Sequence, residues 1–502
     1  MNGNPMKSWL DANGGRTYRN YIDGAWTESA GGLTYPVYEA ARPSRRIGDF
    51  PDSNGEDVNR AVLSAHRAFA SWRNTPAPVR AGILNRFADL LESDREELAY
   101  RISAEQGKAL AESLGEVRRA ANEARFSAGE AFRVEGYRMP SEDGQIGVSV
   151  IRYPIGVVAA IAPWNFPVVT PVRKIAPALA YGCTVVFKPA SATPWSAVRL
   201  MELLAEAGLP GGVVNMILGA GGKVGDPLVS HPLVSGISFT GSTALGLRIN
   251  GIAASRLAKT QLELGGKNAA IVLDDGNLAY AAEQIVQAAF ACSGQRCTAI
   301  SRVIALKDIA ARLTDYIMER MREIRVGPAW KDGVTMGPLI DRRHFESVMR
   351  YIETGKREGA VLACGGDRLA VESEDGDEAG YYVAPTLFTG VTGQMTIARE
   401  EIFGPVLSVL EVDDWQEAVD TANGTDYGLA ASVFTNRPDV ALAMAELLEC
   451  GMVHLNHGTA SQAHVPFGGV KKSGFGPYSI GHTNQDFFTN MKAVYAKSEH
   501  LR

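Results

Sequence analysis

Of the five cysteines in the 502-residue chain, Cys297 has the neighbours that suit a reactive thiol. In FACSGQRCTA it follows Arg296 and stands among small and polar residues, and the segment predicts Cys297 at the end of a helix. That setting favours the thiolate, the nucleophilic form of the side chain. A buried structural thiol is the competing account of a single intracellular cysteine. Upstream, ELGGK (263–267) puts the carboxylate of Glu263 before a Gly-Gly turn at a strand end, where loops of α/β sheets present catalytic groups. Alone, a glutamate beside a turn is equally well a surface charge. Together, acid and thiol supply the base and nucleophile of a two-step oxidation. GSTALG (241–246) follows the apolar run SGISF and opens a helix, so its backbone N–H groups and the helix dipole can hold a phosphate. An ordinary strand-to-helix turn has the same pattern, and no GxGxxG accompanies it.

The elements that must position these groups are legible as alternation. From Val157 onward, short apolar runs (VVAAI, TVVF, VVNMI, SGISF) alternate with helical segments, which predicts βαβ units and a parallel sheet. A second α/β series begins with NAAIVL and a helix near 278–291, so a domain boundary is expected near 264–267. Earlier, Ser53 and Glu56 make a capping-box pattern ahead of Val58, Val62, Ala65, Phe69 and Trp72, and a second amphipathic helix runs through Ile83, Leu84, Phe87 and Leu91. GVSVIRYPIG alternates like a hairpin strand and DFFTNMKAVYAK could pair with another strand; both suit subunit-bridging edges. The acidic stretch VESEDGDEAG (371–380) reads as a solvated loop.

Composition narrows the function. A hydrophobic fraction of 46 %, 21 % charged residues and a net charge of −6 describe a soluble globular protein of two or three domains, with no electrostatic footprint for nucleic acid. Cys183, Cys292, Cys297, Cys364 and Cys450 are too few for a disulfide scaffold and lack zinc-site spacing. A cytoplasmic setting with no metal fits them, and the N-terminus has no apolar signal region or membrane span.

PWNFP, FKPAS, FTGST, ELGGK, SGQRC, EEIFGPV and PFGGVKKSGFG occur in that order across the chain, with the minor signatures EQGKAL, LGEV, YGLA and GMVHLN. This ordered set closely resembles the aldehyde dehydrogenase superfamily. The resemblance implies an α/β fold with a parallel-sheet cofactor-binding domain (1–131 and 154–265), an α/β catalytic domain (266–482) and a β-strand oligomerisation element (132–153 and 483–502). It also implies a homodimer or homotetramer. Carried over, it makes Cys297 the nucleophile, Glu263 the base for a deacylating water, Asn165 the oxyanion-stabilising amide and Lys174 a lysine near the active site. It puts NAD or NADP on Lys188 and Ser191 at the adenosine ribose, on Trp164, Gly241 and Ser242 at the pyrophosphate, and on Glu401 and Phe403 at the nicotinamide. Ile161, Pro163, Gly221 and Leu264 complete the cofactor contacts. Phe166 and Phe467 are expected to line an apolar tunnel, or else to be scaffold packing.

Departures from the family pattern bear on specificity. Ser191 replaces the glutamate of many NAD-preferring members, and serine neither holds a ribose 2′-hydroxyl strongly nor repels a 2′-phosphate, so NADP use is permitted alongside NAD. After SGFG stand Pro477 and Tyr478 in place of Arg-Glu, which predicts another proton route. Arg173 matches one arginine of the carboxylate clamp in succinic semialdehyde dehydrogenases, while Ala291 occupies the position of the other. Arg173, with help from Arg296, is therefore the expected anchor for succinic or 2-oxoglutaric semialdehyde; a surface cation or internal ion pair is the alternative for Arg173, and packing beneath the catalytic loop for Arg296. An aromatic or aliphatic aldehyde is the rival substrate. A CoA-acylating dehydrogenase and a non-catalytic scaffold protein are the rival functions, and retention of Glu263 and of the Cys297–Glu263–Asn165 set argues against them.

Overall fold

In the computed structural model, which describes residues 5–371 and 379–497, the apolar runs after Val157 are the parallel strands of an eight-stranded sheet. Val157–Ile161 pairs with Thr184–Lys188 on one side and Val234–Thr240 on the other; Val214–Met216 and Lys259–Glu263 extend the two sides. Antiparallel strands Asn20–Ile22, Ala25–Thr27 and Gly474–Phe475 complete its ends. These strands are apolar on both faces because both are covered. Val158 and Ala160 join the core on one side, and Val157, Ala159 and Ile161 the core on the other. In register, Ile161 lies opposite both Lys188 and Phe239, and Thr240 opposite Glu263. The loops after these strands therefore leave the same sheet edge, the carboxyl edge where α/β sheets bind ligands.

Through 264–267 the chain crosses to a seven-stranded sheet built on Asn268–Val272, Ile300–Leu306 and Val406–Val412. It too is buried on both faces, with Ile271 in one core and Val272 in the other. A third sheet pairs Ile146–Pro154 antiparallel with Thr489–Lys497 and with Tyr137–Met139, so the two segments expected as bridging edges pair with each other within one chain.

The helices at Gly55–Trp72 and Ala77–Ser93 lie where the apolar spacing predicts. The cap, however, is shifted by one residue. Asn54 accepts from the Glu56 N–H and Asp57 closes the box, because the buried Ser53 hydroxyl instead accepts a hydrogen bond of 2.8 Å from Asn20 Nδ2. Most of the acidic stretch, residues 372–378, lies outside the described residues. Among the described residues, no helix is long and apolar enough to cross a membrane, and no group of three His, Cys, Asp or Glu could hold a metal ion.

Helix Leu110–Glu130 packs against the helices Ala77–Ser93, Arg95–Gln106 and Val169–Ala180. Its Glu116, Glu123 and Glu130 are buried and Glu112 and Arg119 half-buried, at the three- and four-residue spacings that share a helix face, or one turn further on for Glu130. A charged helix face turned inward must find partners, and those partners are the groups described next.

Candidate active site

The carboxyl edge of the first sheet and three loops of the second enclose a cavity of about 250 Å3. Pro163, Trp164, Asn165 and Phe166 reach it from the loop after Val157–Ile161, Gly241 and Ser242 from the loop after Val234–Thr240, and Glu263 and Leu264 from the end of Lys259–Glu263. Arg296 and Cys297, Glu401 and Phe403, and Phe467 close it from the other side. Fourteen of the residues expected to act on cofactor or substrate thus line one space, counting Arg173, which reaches it from helix Val169–Ala180.

Cys297 is not at a helix end. The helix Leu278–Phe290 stops seven residues earlier, and Ala291–Gly294 turns sharply with Cys292 and Ser293 at positive φ (55° and 58°). Two anchors hold this turn: Glu112 accepts from the Cys292 N–H at 2.8 Å, and Ser293 Oγ donates to the Gly337 carbonyl at 2.8 Å. Beyond it, Asn268 Nδ2 donates to the carbonyls of Cys297 (2.7 Å) and Ala299 (2.9 Å), so the backbone that carries Cys297 is held by a side chain of the second sheet.

Nor is the thiolate favoured in this resting arrangement. Burial and the facing Glu263 carboxylate push the Cys297 thiol well above its ordinary value, outweighing Arg173. Glu263 is raised in turn by burial, against the pull of Arg173 and Lys174, and its Oε1 has no hydrogen-bond partner. Both groups thus hold a proton more readily than usual, and they face each other across the cavity. Lys174, pushed down to about 7 by burial, donates to Thr240 Oγ1 (2.8 Å) and Ser238 Oγ (3.2 Å) beneath the cavity. Ser238 donates on to Gln261 Oε1 at 2.8 Å, and Gln261 Nε2 donates to the Tyr478 carbonyl at 3.3 Å.

Asn165 Nδ2 spends one hydrogen on the Gln295 carbonyl (2.9 Å), which fixes the amide plane beside Cys297 and leaves the second hydrogen for the cavity. Phe403 is held at φ 57°; its carbonyl meets His344 Nε2 at 2.8 Å and its ring stands edge-on to Trp164. Glu401 accepts from the Gly266 N–H at 3.0 Å, and burial raises its carboxyl to about 7.

The surface fits a dinucleotide. Ser242 caps the twelve-residue helix Thr243–Ala254 without a side-chain bond, so the first N–H groups of that helix are free for phosphate. A side chain at Gly241 would collide with the Phe239 ring and one at Gly265 with Glu401. Lys188, lowered to about 8 by burial, donates to the Pro189 carbonyl at 2.9 Å and keeps further donors for a sugar hydroxyl. Gly221 faces open space, while the Ile161 side chain is buried in the sheet core. Ser191 lines a neighbouring cavity of about 280 Å3 instead of the central one.

Arg173 departs most from expectation. Its Nη2 and Nε donate to the two oxygens of Glu123 at 2.7 and 3.1 Å, both partners are buried, and its guanidinium lies 4.6 Å over the Phe467 ring. A bidentate pair of this kind is an internal strut and not an open clamp. Two other cations line the cavity without an ion pair among the described residues: Arg296 meets the Thr298 hydroxyl at 3.5 Å, Arg119 meets the Ser461 hydroxyl at 3.5 Å and lies 5.1 Å from the centre of the Phe166 ring, and the Nε of each lacks a hydrogen-bond partner. Arg119 was not foreseen. Its one signal in the sequence is its place on the same helix face as Glu116 and Glu123.

These features agree with the relatives of the chain. Residues 26–494 match the model of the aldehyde dehydrogenase family. The chain belongs to that family. It is 41 % identical over 483 residues, 96 % of this chain and 98 % of the other, to the alpha-ketoglutaric semialdehyde dehydrogenase of Bacillus subtilis. Among solved structures it resembles an NAD-dependent aldehyde dehydrogenase from Sinorhizobium meliloti (TM-score 0.94, 35 % identity, 98 % of this chain and 96 % of that one). It likewise resembles an E. coli NADP dependent enzyme (TM-score 0.92, 34 % identity, 96 % and 98 %). As a member of the aldehyde dehydrogenase family, the chain is an enzyme that oxidises an aldehyde to a carboxylic acid.

Proposed function

We propose that the substrate is a semialdehyde with a distal carboxylate, such as 2-oxoglutaric or succinic semialdehyde, oxidised with NAD or NADP. The observation that carries this is the pair Arg119 and Arg296. Both line the cavity and, among the described residues, neither has a carboxylate within ion-pair distance. Guanidinium groups that face a cavity and keep donors outside any ion pair can receive an anion. Phe166 and Phe467 supply the apolar walls for the intervening methylenes. The name of the Bacillus subtilis relative agrees, and the pair takes over the anchoring role expected of Arg173.

In this reading Glu263 takes the Cys297 proton and the thiolate attacks the aldehyde carbon. The new C–S bond places negative charge on oxygen, where the Asn165 amide and the Cys297 N–H are preorganised donors. A nicotinamide held by Glu401 and Phe403 would supply the acceptor for the hydride of this carbon. Cys297 then carries the acyl group as a thioester. Glu263 deprotonates a water that attacks it, the C–S bond breaks, and the carboxylate and thiolate separate. Between the two steps Glu263 gives the thiol proton up to bulk water, a release that the nearby charges of Arg173 and Lys174 favour. The dinucleotide would be held by Lys188 at the sugar, the Ser242 helix start at the phosphates, and Glu401 and Phe403 at the reactive ring. The first sheet is then the cofactor domain, and the second, with its crossing at 264–267, the catalytic domain.

The test is initial-rate NAD(P)H formation with 2-oxoglutaric semialdehyde, succinic semialdehyde, benzaldehyde and hexanal. Arg296→Ala and Arg119→Ala are each expected to lower kcat/KM for the carboxylate-bearing aldehydes by about 10- to 100-fold, as loss of a charge-assisted hydrogen bond predicts. Hexanal turnover should change little. A wild-type preference for benzaldehyde or hexanal, or equal losses on all four, would end the anionic-substrate proposal.

A further inference from the structure

The loop that bears Asn165 and Phe166 belongs to neither the strand Val157–Ile161 nor the helix Val169–Ala180, and much of its support comes from outside both. Lys108, 1 % exposed, sits in the turn between Arg95–Gln106 and Leu110–Glu130. Gly107 caps the first of these helices at φ 95°, and the Lys108 N–H is held by Gln106 Oε1 at 3.0 Å. From there the ammonium donates to the Asn165 carbonyl at 2.6 Å and to Glu116 Oε2 at 2.7 Å, and it lies 3.9 Å from the centre of the Phe166 ring. Glu116 is equally buried, and its other oxygen accepts the N–H groups of Val168 (2.8 Å) and Val169 (3.1 Å). Both ends of the stretch 165–169 therefore hang on one ion pair.

A buried ion pair is a poor way to stabilise a fold, because its desolvation commonly costs as much as its attraction returns and an apolar pair of similar volume would serve as well. What the pair supplies is geometry. Lys108 presents charge to a carboxylate, a carbonyl and an aromatic face at once, which fixes the Asn165 peptide and, through it, the direction of the side-chain amide. We propose that Lys108 and Glu116 are positioning residues for the oxyanion donor. They touch no substrate and act through Asn165, and the inference rests on the reading of Asn165 given above.

Displacement of a catalytic group by an ångström can cost about 100-fold in rate, so Lys108→Met is expected to lower kcat by roughly 10- to 100-fold with the cofactor Kd unchanged. Two readouts separate positioning from general damage. Alkylation of Cys297 by iodoacetamide displaces iodide at a saturated carbon and builds no oxyanion, so its rate should stay at the wild-type value in Lys108→Met. In an Asn165→Ala background, Lys108→Met should change kcat by no more than about twofold, the mark of two residues acting as one unit. If Lys108→Met does not fold, Lys108→Met/Glu116→Gln, which removes both charges together, carries the same expectations. Alkylation falling in step with kcat, or losses that multiply in the Asn165→Ala background, would overturn the inference and leave the oxyanion reading standing. Asn165→Ala with wild-type kcat would overturn both.

Discussion

At the scale of single residues, the site is a set of groups each displaced from its ordinary protonation state by a nameable neighbour. Cys297 and Glu263 are both raised, by burial first and, for the thiol, by the facing carboxylate next. The forms that act, thiolate and carboxylate, are the deprotonated ones, so activity must be lost as pH falls through the raised Glu263 value and recovered as pH rises. A kcat/KM that stayed flat from acid pH upward across the range in which the protein remains folded would contradict this, since the profile reports the essential base of the free enzyme. Cys297→Ala should abolish NAD(P)H formation. Glu263→Gln is more informative: if its chief work is activating the deacylating water, a burst of NAD(P)H near one equivalent per site should precede a steady rate slowed by about 10²- to 10⁴-fold. Rapid-quench detection of acyl-enzyme on Cys297 checks that the burst is the thioester, and absence of both burst and adduct would show that removal of the Cys297 proton, not deacylation, is the step that fails without Glu263.

At the scale of elements, helix Leu110–Glu130 organises the site although it carries none of the reacting atoms. Glu112 holds the Cys292 turn, Glu116 the oxyanion loop, Glu123 the Arg173 strut, and Glu130 receives Tyr181 and His482. Breaking one such buried pair by removing a partner leaves an uncompensated charge and costs about 3–5 kcal/mol. Glu123→Ala is therefore expected to lower the Tm in calorimetry, while the ratio of kcat/KM for succinic semialdehyde to that for hexanal is unchanged. Loss of that ratio with no loss of Tm would return Arg173 to the role of substrate anchor. This helix also marks where the sequence stops being legible. The strand–helix alternation, both α/β series and the strands 146–154 and 489–497 could be read because apolar periodicity reports burial directly. The turn residues of Cys297, Glu263 and Asn165 could be read because their motifs are distinctive. Charges at helical spacing, by contrast, ordinarily mean a solvated face, and nothing local in LGEVRRAANE says that Glu116 meets Val168 and Glu123 meets Arg173, 52 and 50 positions away. For the same reason the ion-pair alternative for Arg173 could not be singled out, since its carboxylate, Glu123, is 50 positions upstream. It also let Cys297 pass for a helix terminus, since the left-handed pair Cys292–Ser293 is stabilised by Glu112 and Gly337 from elsewhere.

At the scale of the whole molecule, the three-stranded sheet is the element left without cover. Opposite residues of antiparallel strands share a face, so Val148 is flanked by Met139 and Tyr495, and Val150 by Tyr137 and Ala493. Tyr137, Met139 and Tyr495 are each more than half exposed, and both outer strands of the sheet offer an unpaired edge. Apolar side chains grouped beside open strand edges are a liability that a monomer normally blunts with charge. A closed symmetric assembly that buries this face, a homodimer or homotetramer, is the arrangement we propose. Sedimentation velocity should then show a single species at twice or four times 53.8 kDa. Met139→Asp/Tyr495→Asp, which places carboxylates on that face without touching the cavity, should shift the population towards monomer. A wild-type chain that sediments at 53.8 kDa across the accessible concentrations would show that the sheet is not an interface. A double variant that keeps the wild-type sedimentation coefficient would place the contact elsewhere on the molecule.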